Sequence, residues 1–542
     1  MSESVSGLNT LPLSASQVRE IQNTHTEVSC EGDSPDDPPA RMEADLADFI
    51  NKAGVASVPN EILSAIFEAG CHLLPRPQPS DSSSETDEWE PPFEILVSHV
   101  TRHWRNVAVS TPSLWTQIYI AEQDQCLDAA AAYLTRSRCL PLDIGLEMGR
   151  PHPRSRWHPK LPSTCSIIET LTPHVGRCRR FCIHSERPRR HLSALLKGLC
   201  SVTCPFLESI QVSRTERFDY YDDGDADYSK EDEEDEERDR CENVREIFAG
   251  GAPSLKEIRL RGINLSYCLP PTASVTTLHI HCDTHRISEH PSYRVICALF
   301  SNFRALTHLV LQGCFVRYST FIGVPIQAPT VTFPLLSSLC ILSTKGHTSL
   351  FEFLAMISAP LLECLSFGEM LGSDAEEVLQ TPEWIATLPR YPYLHTLSVI
   401  PLLGASPPFQ PSTWKTIEQS FNTVTNLTVL DEKVALFSES LYCMHGTDLS
   451  PSPSNQIPWP NLQTLSLGGF QFPYDIEPFV AALAARVVMD RPLRKLRIPR
   501  QPGMPENQFR DALLQFQRYT EVEEYKPKRW PRGDLNDWYD GN

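Results

Sequence analysis

The sequence lacks any long hydrophobic run. No 18-residue apolar stretch occurs in its 542 residues, which argues against a membrane-spanning helix. The first forty residues also lack the apolar core of a secretory signal, being polar and carrying Asp36-Asp37 and Pro38-Pro39. Positive charge is in short supply: 48 Lys and Arg stand against 68 Asp and Glu, a net charge of -20. That balance argues against a nucleic-acid partner held by phosphate neutralisation. The Gly-x-x-x-x-Gly-Lys, Gly-x-Gly-x-x-Gly, His-Glu-x-x-His and Gly-x-Ser-x-Gly motifs are all missing, so the chain reads as non-enzymatic and without a cofactor.

Cysteine is plentiful, with 17 residues, but the paired spacings of a disulfide framework or zinc finger are missing. Several cysteines stand where a leucine would serve, as reduced and mostly buried thiols do in an intracellular protein, cytoplasmic or nuclear. The nearest approach to a metal cluster is His279, His281, Cys282 and His285, and it lacks metal-site spacing. Cys200 and Cys204 make no better case. We therefore expect no metal, no nucleic acid and no membrane among the partners.

What is present points to an extended, multi-unit chain, long enough for several cores or one array. Much of the charge is local. Between Asp219 and Asp239 lie 13 acidic residues against Lys230 and Arg238, leaving the rest only mildly acidic. That run (219–239) reads as a solvated insertion. Residues 1–41, rich in Ser, Thr, Asp and Pro, read as disordered. Leu46, Phe49 and Ile50 then mark a short helical stripe.

The stretch from Val55 to Ile120 carries the densest helical signal. Pro59 suits the first turn of a helix. Behind it, Ile62 and Ile66 form one i, i+4 pair, and Leu63 and Phe67 another. Two neighbouring stripes exceed what a lone surface helix needs. Gly70 reads as a C-terminal cap. A Ser-, Pro- and acid-rich loop spans 75–92. Helical spacing returns with Val97, Val100, Trp104 and Val107 and stops before Pro112, and Leu114-Trp115 forms a last apolar anchor.

These blocks, Val58-Pro59-Asn60-Glu61-Ile62-Leu63 with Ile66-Phe67, then Arg102-His103-Trp104-Arg105, then Ser110-Thr111-Pro112-Ser113-Leu114-Trp115, resemble an F-box in the form common in large fungal families. Val58 stands for the usual Leu, Thr101-Arg102-His103 replaces a Cys-Arg-Arg type run, and the loop is long. The resemblance implies binding to a Skp1-type adaptor and, through it, to a cullin-based ubiquitin ligase. The adaptor contacts would be Val58, Pro59, Ile62, Leu63, Ile66 and Phe67, supported by Val100, Trp104 and Trp115. Read from spacing alone, the same residues also suit the inner face of an ordinary helical bundle.

Beyond Ile120, Leu127 to Leu134 reads as a short helix and Pro141 to Leu146 as a strand. A pattern of apolar, two variable, apolar, one variable, apolar then recurs. It runs from Leu207/Ile210/Val212 through Leu306/Leu309/Leu311 and Leu394/Leu397/Val399 to Leu493/Leu496/Ile498, with Cys178/Phe181/Ile183 a weaker first copy. Prolines such as Pro253, Pro334 and Pro460 precede several copies. Copies start 20 to 48 residues apart, most of them 26 to 32, and the longest step holds the acidic run. Such a period marks a solenoid. It resembles an irregular leucine-rich-repeat array, each unit a short parallel strand with a helical return, for example Phe351 to Ile357 or Pro478 to Val488.

The expected fold class is thus α/β: a small helical module (42–120), a leucine-rich-repeat-like solenoid (121–500), and a C-terminal helix and tail (501–542). On such an array the variable strand residues face a concave sheet. Glu257, Arg259, Arg261, His279, His281 and His308 would line its early part, and Lys495 and Arg497 its end. Cys340, Ser366, Ser398, Thr428 and Ser466 would make a plain centre. Basic character at both ends suits an acidic or phosphorylated peptide of an unknown protein target; the bland reading is a solvated strand face. Two functions remain open: a substrate receptor of a ubiquitin ligase, or an interaction scaffold whose F-box-like segment caps the array.

Overall fold

A computed structural model describes residues 58–73, 91–120, 126–149, 164–186, 189–215, 246–282, 293–313, 331–342, 353–354, 356–370, 391–401, 411–430, 437–438, 441, 458–468, 476–500 and 505–525. The expected disordered segment (1–41), the stripe at 46–50, nearly all of the 75–92 loop and the acidic run lie outside them. The chain divides into two compact units after Ile66.

Helix α1 (Asn60–Leu73) crosses that division. The Pro59 carbonyl accepts the first helical bonds, from the Ile62 and Leu63 amides at 3.1 Å each. Gly70, read from sequence as a cap, instead lies inside the helix. A Cβ there would strike the Phe93 ring, so the glycine is a packing gap. The renewed helical spacing after Pro92 proves to be two helices, α2 (Phe93–Val100) and α3 (Arg102–Ser110). The break is Thr101, in extended conformation, whose hydroxyl caps α3 by accepting the Trp104 amide at 3.1 Å. A 3-10 turn (Pro112–Trp115) then leads into strand β1 (Gln117–Ile120).

From there the chain alternates strands with return segments. Helix α4 (Cys126–Arg136) leads to β2 (Leu142–Met148), α5 (Thr164–Val175) to β3 (Cys178–Ser185), and α6 (Arg189–Gly198) to β4 (Ser209–Arg214). Strands β5 (Glu257–Arg261) and β6 (Thr277–Cys282) follow, then α7 (Tyr293–Phe300) and β7 (His308–Gly313). A short pair, β8 (Val331–Thr332) and β10 (Ile357–Ser358), flanks β9 (Ser338–Leu342) in sequence. Next come β11 (Cys364–Met370), β12 (Thr396–Pro401), α8 (Pro411–Ser420), β13 (Asn426–Val429) and β14 (Thr464–Leu467). Helix α9 (Ile476–Val488), β15 (Lys495–Ile498), α10 (Glu506–Phe516) and β16 (Glu521–Glu524) complete the order.

All strands but β8 and β10 join one 14-stranded sheet in chain order, and every pairing in it is parallel. The sheet is larger than the repeat count alone implies. It begins inside the segment assigned from sequence to the helical module, and β16 lies in the segment assigned to the tail. Of the two example returns, α9 is helical. In the other, Phe353 and Leu354 are helical, but Ile357 belongs to β10.

Each copy of the repeat lands on the same register. Ile118 pairs with Ile144, Ile144 with Phe181, Phe181 with Ile210, and the column continues through Ile258, Leu309 and Leu397 to Leu496 and Val522. From Ile118 to Leu496 these residues are buried to within a few per cent. The first apolar position of the repeat closes a hydrogen-bonded turn. The amides of Leu207, Leu255, Leu336, Leu362, Leu394 and Leu462 bond to the carbonyls of Cys204, Ala252, Phe333, Ala359, Tyr391 and Trp459 at 3.1 to 3.4 Å. The second residue of all six turns is proline, which presets φ and has no N–H to leave unpaired.

Immediately before each of nine strands, one carbonyl is shared. Those of Glu208, Lys256, Thr276, Thr307, Ser337, Glu363, His395, Thr425 and Gln463 each accept two amides from the next unit. Where that residue is Thr276, Thr307, Ser337 or Thr425, its hydroxyl also bonds to the carbonyl one unit back. The cysteines serve as apolar fillers: Cys204 opens one turn and Cys178 sits beside Leu142. Burial pushes the Cys204 thiol up to about 12. Among the described residues no helix is long and apolar enough to cross a membrane.

The alternation makes a direct test. Leu397→Ala removes a side chain from the buried column and should cost about 3 kcal/mol in urea unfolding. Ser398→Ala, one residue on and facing the other way, removes only a hydroxyl and should cost about 1 kcal/mol or less.

Candidate functional site

Two surfaces carry the residues singled out from the sequence. The first is α1. Its two apolar stripes lie about 100° apart around the helix axis, and the structure treats them differently. Leu63 and Phe67 are buried, at 2% and 1% exposure, while Ile62 and Ile66 are about half exposed, at 53% and 52%. Leu73, eleven residues after Ile62 and therefore on the same stripe, is 78% exposed. Val58 is half-buried and Pro59 exposed.

In the larger unit, Phe67 stacks against Trp104 with ring centroids 5.1 Å apart. Ser113 donates to the Glu68 carboxylate. Val100 is 56% exposed. Trp115 is fully buried, and its indole N–H donates to the Ala108 carbonyl at 2.8 Å. Its ring packs edge-on against Tyr133, 4.9 Å away, and the Arg136 guanidinium lies 4.4 Å over it. Tyr133 in turn donates to the buried Glu94 carboxylate at 2.7 Å. Trp115 thus fastens α3 and the 3-10 turn to α4, the first return helix. It sits in the interior.

The second surface is the sheet face opposite the buried columns. The register gathers the early candidates into rows: Glu257 beside Thr277 and His308, Arg259 beside His279, Arg261 beside His281. Their electrostatics differ from the sequence expectation. Arg259 is already paired with Glu257 on its own strand at 2.7 Å, and Ser209 donates to the same carboxylate at 3.0 Å. Burial alone would raise the Glu257 carboxyl, but Arg259 and Ser209 outweigh it and bring it below the ordinary range. His281 is buried at 3% exposure, in line with the buried Ser213 and Gln312. His308 is exposed, its ring 2.8 Å from the Thr307 hydroxyl.

At the other end, Lys495 lies 3.3 Å from both Glu521 and Glu523, and Arg497 lies 2.9 Å from Glu523. These carboxylates come from β16, and they raise the Lys495 amine above its ordinary value. Arg259 at one end and Lys495 and Arg497 at the other are therefore paired with carboxylates of the same sheet. The plain centre is also less open than expected: Cys340, Ser366, Ser398 and Ser466 are each less than a tenth exposed. The sequence signal for β16 was faint because only Val522 continues a buried column, and Glu524 stands where the other column ends. Among the described residues no group of three His, Cys, Asp or Glu side chains is placed to hold a metal ion.

No protein-family model matches the chain, and no curated protein matches it either. Its functional reading rests on its own residues.

The His279 imidazole is held down to about 4, by burial first and then by Arg259. The folded chain keeps His279 neutral where the unfolded chain takes up a proton, so stability is drawn down as pH falls from about 6.5 towards about 4. His279→Gln should flatten that part of the stability-versus-pH curve, measured by urea unfolding at about pH 7 and about pH 4.5. An unchanged slope would mean that His279 protonates freely in the fold.

Proposed function

We propose that the chain is the substrate-recognition subunit of a Skp1-cullin-F-box type ubiquitin ligase. Helix α1 docks a Skp1-type adaptor, which connects to a cullin, and the strand array holds a protein target. The observation that carries this reading is the second apolar stripe of α1. A helix of a folded domain buries its apolar stripe. Here Leu63 and Phe67 do so, yet Ile62, Ile66 and Leu73 stay exposed on a neighbouring stripe of the same helix. An exposed row of this kind is what helix-in-groove recognition uses. The order of the three F-box-like blocks supports the same reading. The contribution to the reaction would be proximity, with the chemistry performed by the partners.

A second reading, an interaction scaffold that uses the helical segment only as a cap, is favoured by Trp115. Its contacts with Ala108, Tyr133 and Arg136 cover the first return helix as an end cap does. The two roles use different residues, so they separate by mutation.

The test is co-expression with a Skp1-type adaptor followed by co-purification. The double substitution Ile62→Asp and Ile66→Asp touches only exposed positions. It should abolish adaptor retention while leaving the unfolding midpoint unchanged. Trp115→Ala should instead cost about 3 kcal/mol or more of stability. A folded, intact chain that never retains adaptor would sink the receptor reading and leave the scaffold.

A further inference from the structure

The strand-entry turns place large exposed apolar side chains at one repeated position. The third residue of the turn is Leu335 ahead of β9, Leu361 ahead of β11 and Tyr393 ahead of β12, and these are 47%, 44% and 61% exposed. Because β7, β9, β11 and β12 pair consecutively, the turns form successive rows, spaced at about 4.8 Å by the strand repeat. The turn before, ahead of β7, carries exposed Arg304 one place earlier, at its second residue, and the turn after, ahead of β13, carries exposed Asn422 at the same second place. Glu363, also exposed, follows Leu361 by two residues. Neither Arg304 nor Glu363 makes an ion pair among the described residues. A short apolar ridge with a polar surround has the make-up of a protein contact surface.

We propose that this ridge is a self-complementary face through which two copies of the chain pair antiparallel. The order of the rows selects a second copy over an unrelated partner. Read along the array it is Arg304, Leu335, Leu361, Tyr393. A two-fold axis midway between the Leu335 and Leu361 rows sets Leu335 against the partner's Leu361, and the reverse contact follows by symmetry. The same operation sets Arg304 over the partner's Tyr393, a cation facing an aromatic ring. The partner's Glu363 is then one row away, within reach of the same guanidinium. Among the described residues of these turns, opposite charges meet twice and like charges nowhere. An axis through Leu361 itself would instead oppose Glu363 to its own copy. This surface shares no residue with the α1 stripe, so its test is independent of adaptor docking.

The experiment is the mass of the full chain in solution, by sedimentation equilibrium across the micromolar range. A concentration-dependent dimer is expected. Leu361→Asp and Arg304→Glu should each raise its dissociation constant by at least about tenfold, with unchanged unfolding midpoints because both side chains are exposed. The charge swap, Arg304→Glu with Glu363→Arg, should restore dimerisation to within about threefold of the parent. A chain that stays monomeric throughout overturns the proposal. So does a dimer indifferent to Leu361→Asp, or a charge swap that fails to rescue Arg304→Glu.

Discussion

One constraint governs the larger unit: each parallel strand must meet its neighbour in the same register. A slip of one residue would carry Leu397 and Val399 to the open face and bury Ser398 and Ile400 in their place. The nine shared carbonyls at the strand entries enforce this register, since each accepts two amides from the next unit and so fixes where that strand begins. The proline turns fix the same point from the other side, closing on the first leucine of each copy. Only the turn and the strand of each unit are held this strictly. The return segments can vary widely in length because the entropy of closing a longer loop grows only logarithmically.

An array of this kind needs ends, and the two ends differ in chemistry. At the start, Trp115 and its partners Tyr133 and Arg136 supply apolar cover just ahead of β1. At the finish, β16 offers Glu521, Glu523 and Glu524, and an edge strand bearing charge resists the addition of another strand. Near that end the buried Arg486 donates to the carbonyls of Pro458 and Trp459, at 2.7 and 3.1 Å. Burial and then Arg491 bring its guanidinium down to about 10, so it remains protonated at neutral pH. It holds the turn ahead of β14, where Trp459 adopts a left-handed φ of 53°.

With the buried columns and the turns committed to folding, the residues left for recognition are few. On the sheet face, the cations at both ends answer carboxylates of the same sheet, Arg259 to Glu257 and Arg497 to Glu523. That face is therefore more neutral than its sequence suggests. Exposed apolar groups lie elsewhere, among them one stripe of α1 and the third residue of three consecutive turns. Docking by apolar contact fits these surfaces better than capture of an acidic ligand by the sheet face.

Local periodicity was enough to locate the strands of the large sheet from Leu207 to Ile498, though not the short β8 and β10, and with them their alternation, the prolines ahead of several and both stripes of α1, because each is written into residues close together in the chain. Residues far apart decided the rest. Nothing local marks Phe67 as buried; Trp104 packing on it does. Gly70 resembles a helix end until Phe93 is seen to need its space. Lys495 and Arg497 read as open cations until β16 brings Glu521 and Glu523 beside them. Leu335, Leu361 and Tyr393 lie 26 and 32 residues apart in the chain and become neighbours only through the register. The sequence by itself determined which faces exist, because side-chain direction follows backbone period. The tertiary structure decided which faces are covered and by what, because burial and pairing depend on contacts that no sequence period encodes.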